Sequence, residues 1–151
     1  MSKPKKFRQV MFPPRFLYFK PQGIPMRQLE QVVLTVDEYE AIRLIDHEGM
    51  DQAGAAEKMN VSRPTSARII ESAHKKIAEA LIQGKAIRIE GGRFVFVRNR
   101  LRCLNCGAIW ETDLEQHEED DPSARETACP SCNDRRVMDL GRQAGLRQPH
   151  A

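Results

Sequence analysis

Four cysteines constrain this chain more than any other feature of it. They stand as Cys103-Leu104-Asn105-Cys106 and Cys129-Pro130-Ser131-Cys132, with 22 residues between the two pairs. Each C-x-x-C pair makes a tight knuckle that turns two thiolates toward one point, and two knuckles supply the four sulfurs of a closed tetrahedral site. Gly107, directly after the first pair, relaxes the backbone so that amide N–H groups can face the sulfurs. Ile109-Trp110-Glu111 and Arg136-Val137-Met138 are the expected strands of a small β zinc ribbon over residues 99–141. Four thiolates leave no position for water, so the expected Zn²⁺ is structural rather than catalytic. So short a module has little core of its own, and metal binding is expected to supply its folding energy. Iron or an iron–sulfur cluster takes the same ligands and is the rival cofactor. Disulfides are the other rival, but they are rare in the cytoplasm, where this chain is expected to reside. His117 lies in an acidic run, residues 115–121, and reads as part of a solvated loop rather than as a ligand.

The rest of the 151 residues must carry the main core, and their pattern is mainly helical. Residues 1–34 hold five prolines and the aromatics Phe12, Phe16, Tyr18 and Phe19, which reads as a basic, irregular or extended arm ending in a short strand at Gln31-Val32-Val33-Leu34. The aromatics either pack onto the following helices, the commoner fate, or stack on bases. Residues 35–98 read as a helical domain closed by a β-hairpin. Thr35 and Glu38 have capping-box spacing before an amphipathic helix that Gly49 ends. Asp51 caps a short second helix, Asn60 suits a left-handed turn, and Ser62 caps a third with Pro64 in its first turn. That third helix carries an apolar stripe through Ile69, Ile70, Ala73, Ile77, Ala80 and Leu81 to Gly84. Two β-type runs flank Gly91-Gly92 and read as the hairpin. Residues 142–151 are expected to be a mobile tail.

A short helix, a tight turn and a longer helix opening on small polar and basic residues form a helix-turn-helix, whose second helix enters the major groove. On this reading Ser62, Arg63, Thr65 and Arg68 sit at the reading end, while Lys75 and Lys76 meet phosphates. The segments Leu34-Thr35-Val36-Asp37-Glu38-Tyr39-Glu40-Ala41-Ile42-Arg43-Leu44 and Gln52 to Thr65 resemble region four of bacterial sigma-70-type factors. Tyr18-Phe19-Lys20-Pro21-x-Gly23-Ile24-Pro25, Glu40-Ala41-Ile42-Arg43-Leu44, Ala55-Ala56-x-Lys58-Met59 and Gly84-Lys85-Ala86-x-Arg88-Ile89 resemble an uncharacterised prokaryotic family of predicted DNA-binding proteins, domain of unknown function 134, also called uncharacterised protein family 0251. The likeness spans about residues 12–92 and implies a helix-turn-helix DNA-binding module. Ser66, Gly54 and Pro64 depart from the usual pattern of such helices.

Charge supports a polyanion partner once it is resolved along the chain. The net charge of +3 divides into +6 over residues 1–34, −5 over 35–60, +7 over 61–102 and −5 over 103–151. The acidic ribbon would repel DNA and is expected to meet a protein, RNA polymerase being one such partner. No phosphate-binding Gly-rich loop, G-x-S-x-G or H-E-x-x-H occurs, so an enzyme is not expected. No run approaches the roughly 18 apolar residues of a membrane span. The expected protein is a cytoplasmic, sequence-specific binder of double-stranded DNA and a transcriptional regulator, with a homodimer as its expected assembly. A zinc-ribbon adaptor on the transcription machinery and a metal- or redox-responsive switch are the alternatives.

Overall fold

The computed structural model describes residues 7–113 and 128–143. The helices form where local chemistry dictates. Thr35 accepts a hydrogen bond from the Glu38 backbone N–H, and the Glu38 carboxylate accepts one from the Thr35 N–H at 2.9 Å, closing a capping box. Helix α1, Val36–Ile42, passes into a π-helical segment, Arg43–His47. Asp51 caps α2, Gln52–Met59, by accepting from the Gly54 N–H at 2.7 Å. Asn60 ends α2 in the left-handed region, and Ser62 caps α3, Arg63–Gln83, by accepting from the Thr65 N–H. At 21 residues α3 is about 31 Å long and is the backbone of the unit.

Two apolar clusters sit against α3. Ala41 and Leu44, Ala55 and Met59 of α2, and Ile69 and Ile70 of α3 form one. Val10, Leu34, Val36, Ala73, Ile89, Phe94 and Phe96 form the other, with Phe94 and Phe96 in tilted contact at 5.1 Å. Each large apolar side chain buried this way contributes about 1.5–3 kcal/mol. Ser66 is fully buried with its hydroxyl unpaired, whereas Leu81, placed on the apolar stripe by its spacing, is 75% exposed beside Ile82. The buried stripe of α3 ends at Ala80.

Strands surround these helices, so helices and three small sheets share the described residues rather than a mainly α chain. Strand β1, Arg8–Val10, pairs in parallel with β5, Phe94–Phe96. Strand β4, Ala86–Ile89, lies between β2, Tyr18–Phe19, antiparallel to it, and β3, Gln31–Leu34, parallel to it. The expected hairpin over residues 86–97 is therefore absent: β4 and β5 pair with partners from the N-terminal segment and not with each other. Gly91 and Gly92 serve a different purpose. A Cβ on Gly92, at φ +97°, would lie 2.3 Å from Asp37 Oδ1, and the Gly91 carbonyl accepts from the Val36 N–H at 3.0 Å. The glycines let the chain press onto the start of α1 instead of turning back on itself. The N-terminal segment likewise differs from a free arm where it is described. Val10 is completely buried, Pro13 and Pro14 are buried, and the Met11 N–H donates to Glu40 at 2.5 Å.

The third sheet is antiparallel, with β6, Arg98–Cys103, between β7, Ile109–Asp113, and β8, Val137–Asp139. A one-turn helix α4, Leu140–Gln143, follows. Strands β7 and β8 match the expected pair, while the central strand β6 is additional. Residues 115–121, with His117, and the tail from 144 lie outside the described residues. No helix among the described residues is long and apolar enough to cross a membrane.

Candidate functional site

The sheet β7–β6–β8 exists to bring two loops together. Strand β6 delivers Cys103 at its end, and the loop before β8 carries Cys129 and Cys132. The four sulfurs all lie within 4.8 Å of one another, with Cys103–Cys132 and Cys106–Cys129 each at 3.6 Å. Four sulfurs at 2.3 Å from one tetrahedral ion would stand about 3.8 Å apart, so the set fits a single metal ion and none of the pairs is a disulfide.

The two knuckles are built alike. In the first, the N–H groups of Asn105 and Cys106 face Cys103 Sγ at 3.3 and 3.5 Å, and Gly107 follows with φ +76°. In the second, the Ser131 N–H faces Cys129 Sγ at 3.4 Å, and Asn133 follows with φ +61°. Asn133 thus does for the second knuckle what Gly107 does for the first. Sequence reasoning missed it, although asparagine is the residue other than glycine that best tolerates this conformation. The sulfurs are also electrostatically unequal. Cys132 is drawn down to about 6 by the Asp134 backbone N–H and the Asn105 side-chain amide. Cys106 is pushed up to about 12: the Ala108 N–H favours its thiolate, but the crowded sulfurs around it outweigh that donor. Thiolates packed this closely repel one another until a cation joins them, which is the chemistry of a metal centre.

The second candidate surface is the exposed side of α3. Arg63, Arg68 and Lys75 are exposed there and make no ion pair among the described residues. Arg68 and Lys75, seven residues apart, point within about 20° of each other. Ser62 and Thr65 share a hydroxyl hydrogen bond at 2.8 Å, with Ser62 also serving as the cap. Lys76 is placed differently from the expectation. Its ammonium reaches inward to the buried Glu38 at 2.5 Å, and His74 is bonded to Asp46 at 2.7 Å. Acidic partners, near and far in sequence, have in fact claimed half the cations of the +7 block, Lys76 among them. Lys85 meets Glu30 and Glu79, Arg88 meets Glu90, and Arg98 and Arg100 meet Glu111. In the N-terminal segment Arg8 is held by Asp37 at 2.8 Å. Lys3, Lys5 and Lys6 lie outside the described residues.

Fold and site together define a small helix-and-sheet protein with a four-cysteine cluster able to hold a metal ion. The chain belongs to the family described as protein of unknown function DUF134, whose profile matches residues 1–97. It is 48% identical over 138 residues to a UPF0251 protein of Desulforudis audaxviator (strain MP104C), covering 91% of this chain and 86% of that one. It is 44% identical over 150 residues to a UPF0251 protein of Moorella thermoacetica, covering 99% and 95% of the two chains. The profile stops short of the first cysteine, whereas the Moorella relative aligns along nearly the whole length. No solved structure gives a significant match.

Proposed function

We propose that this protein is a sequence-specific binder of double-stranded DNA that acts as a transcriptional regulator, and that Zn²⁺ on Cys103, Cys106, Cys129 and Cys132 is structural. The observation that carries the DNA reading is the division of cations on α3. Arg63, Arg68 and Lys75 are exposed and have no ion-pair partner among the described residues, while neighbouring cations are paired with acids. Arg63 opens α3 after a three-residue turn between two packed helices, where the helix dipole also favours phosphate, and Arg68 and Lys75 follow further along the helix. Arg63, Thr65 and Arg68 read base edges in the major groove, where arginine pairs with guanine. Lys75 meets the backbone. Lys76 instead holds Glu38. Two copies on two half-sites would multiply the affinity. The zinc supplies folding energy to the sheet and no chemistry on a substrate.

Fluorescence anisotropy with a random-sequence duplex tests this. Binding should weaken linearly in log K against log salt, and Lys75→Ala should reduce the slope by about one. Arg68→Ala should relax sequence preference in a selection from a random DNA pool. No duplex binding at low salt would refute the reading and favour the adaptor. Metal analysis of purified protein should give one zinc per chain and no visible iron absorbance.

A further inference from the structure

We propose that Phe16 and Tyr18, with Arg102 and Arg88, form a stacking platform for single-stranded DNA, on a surface distinct from α3. Phe16, Tyr18 and Phe19 are each about half exposed, at 52%, 50% and 52%. Folded chains usually pack such rings, so three in four consecutive positions form an unusual surface. Register explains how Tyr18 comes to face outward. Tyr18 lies opposite Arg88 on the adjacent strand, which puts both side chains on one face of the sheet. The opposite face carries Ile87, Leu34 and Ile89 into the core, with Leu17 packed beside them. Phe16, just before the bend at Leu17 that leads into the strand, is exposed to the same degree as Tyr18.

Each outward ring carries a guanidinium. Arg88 sits 5.7 Å above the Tyr18 ring, and Arg102 sits 4.7 Å above that of Phe16. Arg102 has no acidic partner among the described residues; Arg88 shares its charge with Glu90. Glu90 is the acid recorded beside the pair, and the segment that carries the rings is basic: residues 1–29 contain seven bases and no Asp or Glu. With one ring face covered by the guanidinium, the exposed remainder of the ring takes a nucleobase and the guanidinium N–H groups take a phosphate. Bases inside a duplex are stacked on one another and cannot reach such a ring, so the occupant is a single strand. An aliphatic protein surface would complement neither the cations nor the basic segment that carries the rings. The choice of DNA over RNA rests on the reading of α3 given above; the platform itself does not.

Anisotropy with the full-length protein and fluorescein-labelled dT20, rU20 and a 20-bp duplex tests the proposal. The protein should bind dT20 at low salt, and Tyr18→Leu and Phe16→Leu should each weaken that binding about tenfold while duplex binding changes less than twofold. Tyr18→Phe, which keeps the ring, should retain dT20 affinity. Arg68→Ala should do the converse, weakening duplex binding and sparing dT20, so the two readings fail separately. Should a leucine variant fold poorly, photocrosslinking of the unaltered protein to dT20 carrying 5-iodouracil should modify Phe16, Tyr18 or Phe19. Absence of dT20 binding, tighter binding to rU20, crosslinks only elsewhere, or retained affinity in both leucine variants would each overturn the proposal.

Discussion

Glu38 shows how one side chain can be given several tasks by its surroundings. Its carboxylate closes the capping box, accepts from Ser72 at 2.7 Å and pairs with Lys76. Burial pushes its pKa up, but the hydrogen bonds from Lys76, Thr35 and Ser72 outweigh burial and hold it below the ordinary value of 4.5. A carboxylate with a depressed folded pKa stabilises the fold above about pH 4.5, and that contribution fades as pH falls through the lower folded value. Lys76→Met should therefore cost about 1.5–3 kcal/mol at pH 7 and flatten the loss of stability between pH 5 and 3, as urea melts across that range would show. Thr35 and Glu38 were legible because a cap is local. Lys76 was not, because its partner lies 38 residues away and a basic helical face looks the same whether or not an acid waits opposite it. Gly92 makes the same point in the backbone. Gly92→Ala combines φ +97° with a Cβ 2.3 Å from Asp37 Oδ1, and should cost more than 2 kcal/mol. Gly91→Ala, at φ +73° in open space, should cost only about 1 kcal/mol in the same urea titration.

At the scale of elements, helix ends and strand pairing differ in how far their causes reach. The boundaries of α1, α2 and α3 follow from Thr35, Asp51, Asn60, Ser62 and Gly84, all within a turn of the helix they punctuate. Strand pairing is decided at long range. The sequence around Gly91-Gly92 has the period of a hairpin, yet β5 finds Arg8–Val10 and β4 finds Tyr18–Phe19 and Gln31–Leu34. Strand β6 escaped notice because Arg98, Arg100 and Arg102 carry no apolar alternation. Both knuckles were legible in the cysteine spacing, since two residues between ligands fix the geometry before any tertiary contact forms. The N-terminal segment provides the decisive test of this element-level account. A chain lacking residues 1–10 loses β1 and the buried Val10 of the second apolar cluster. It should lose at least 2–3 kcal/mol in chemical denaturation, whereas removal of a free basic arm would leave the melting curve in place.

Across the whole molecule, the cysteine-bearing sheet and the helices are joined by more than a linker. Arg98 and Arg100 lie 5.7 and 4.5 Å above the ring of Phe12, and the Val97 and Arg98 N–H groups donate to the Val10 and Met11 carbonyls at 2.8 and 2.9 Å. Strand β6 thus carries Cys103 at one end and grips the N-terminal segment along its length. That segment in turn supplies Val10 to the core and the Met11 N–H to buried Glu40. A path of packed groups therefore runs from the thiolates to α1. If zinc supplies the folding energy of the sheet, removing it frees β6 and loosens this seam, although the helices keep the cluster of Ala41, Leu44, Ala55, Met59, Ile69 and Ile70. A chelator should accordingly leave the far-UV helical signal in place and lower the midpoint of its thermal melt by several degrees, on the scale of about 1–2 kcal/mol. Phe12→Leu, which removes the cation–π contacts but keeps an apolar side chain, should lower the midpoint of the metal-loaded protein and shrink the further drop caused by chelation. Helices that melt at one temperature with and without chelator would show that the seam transmits nothing.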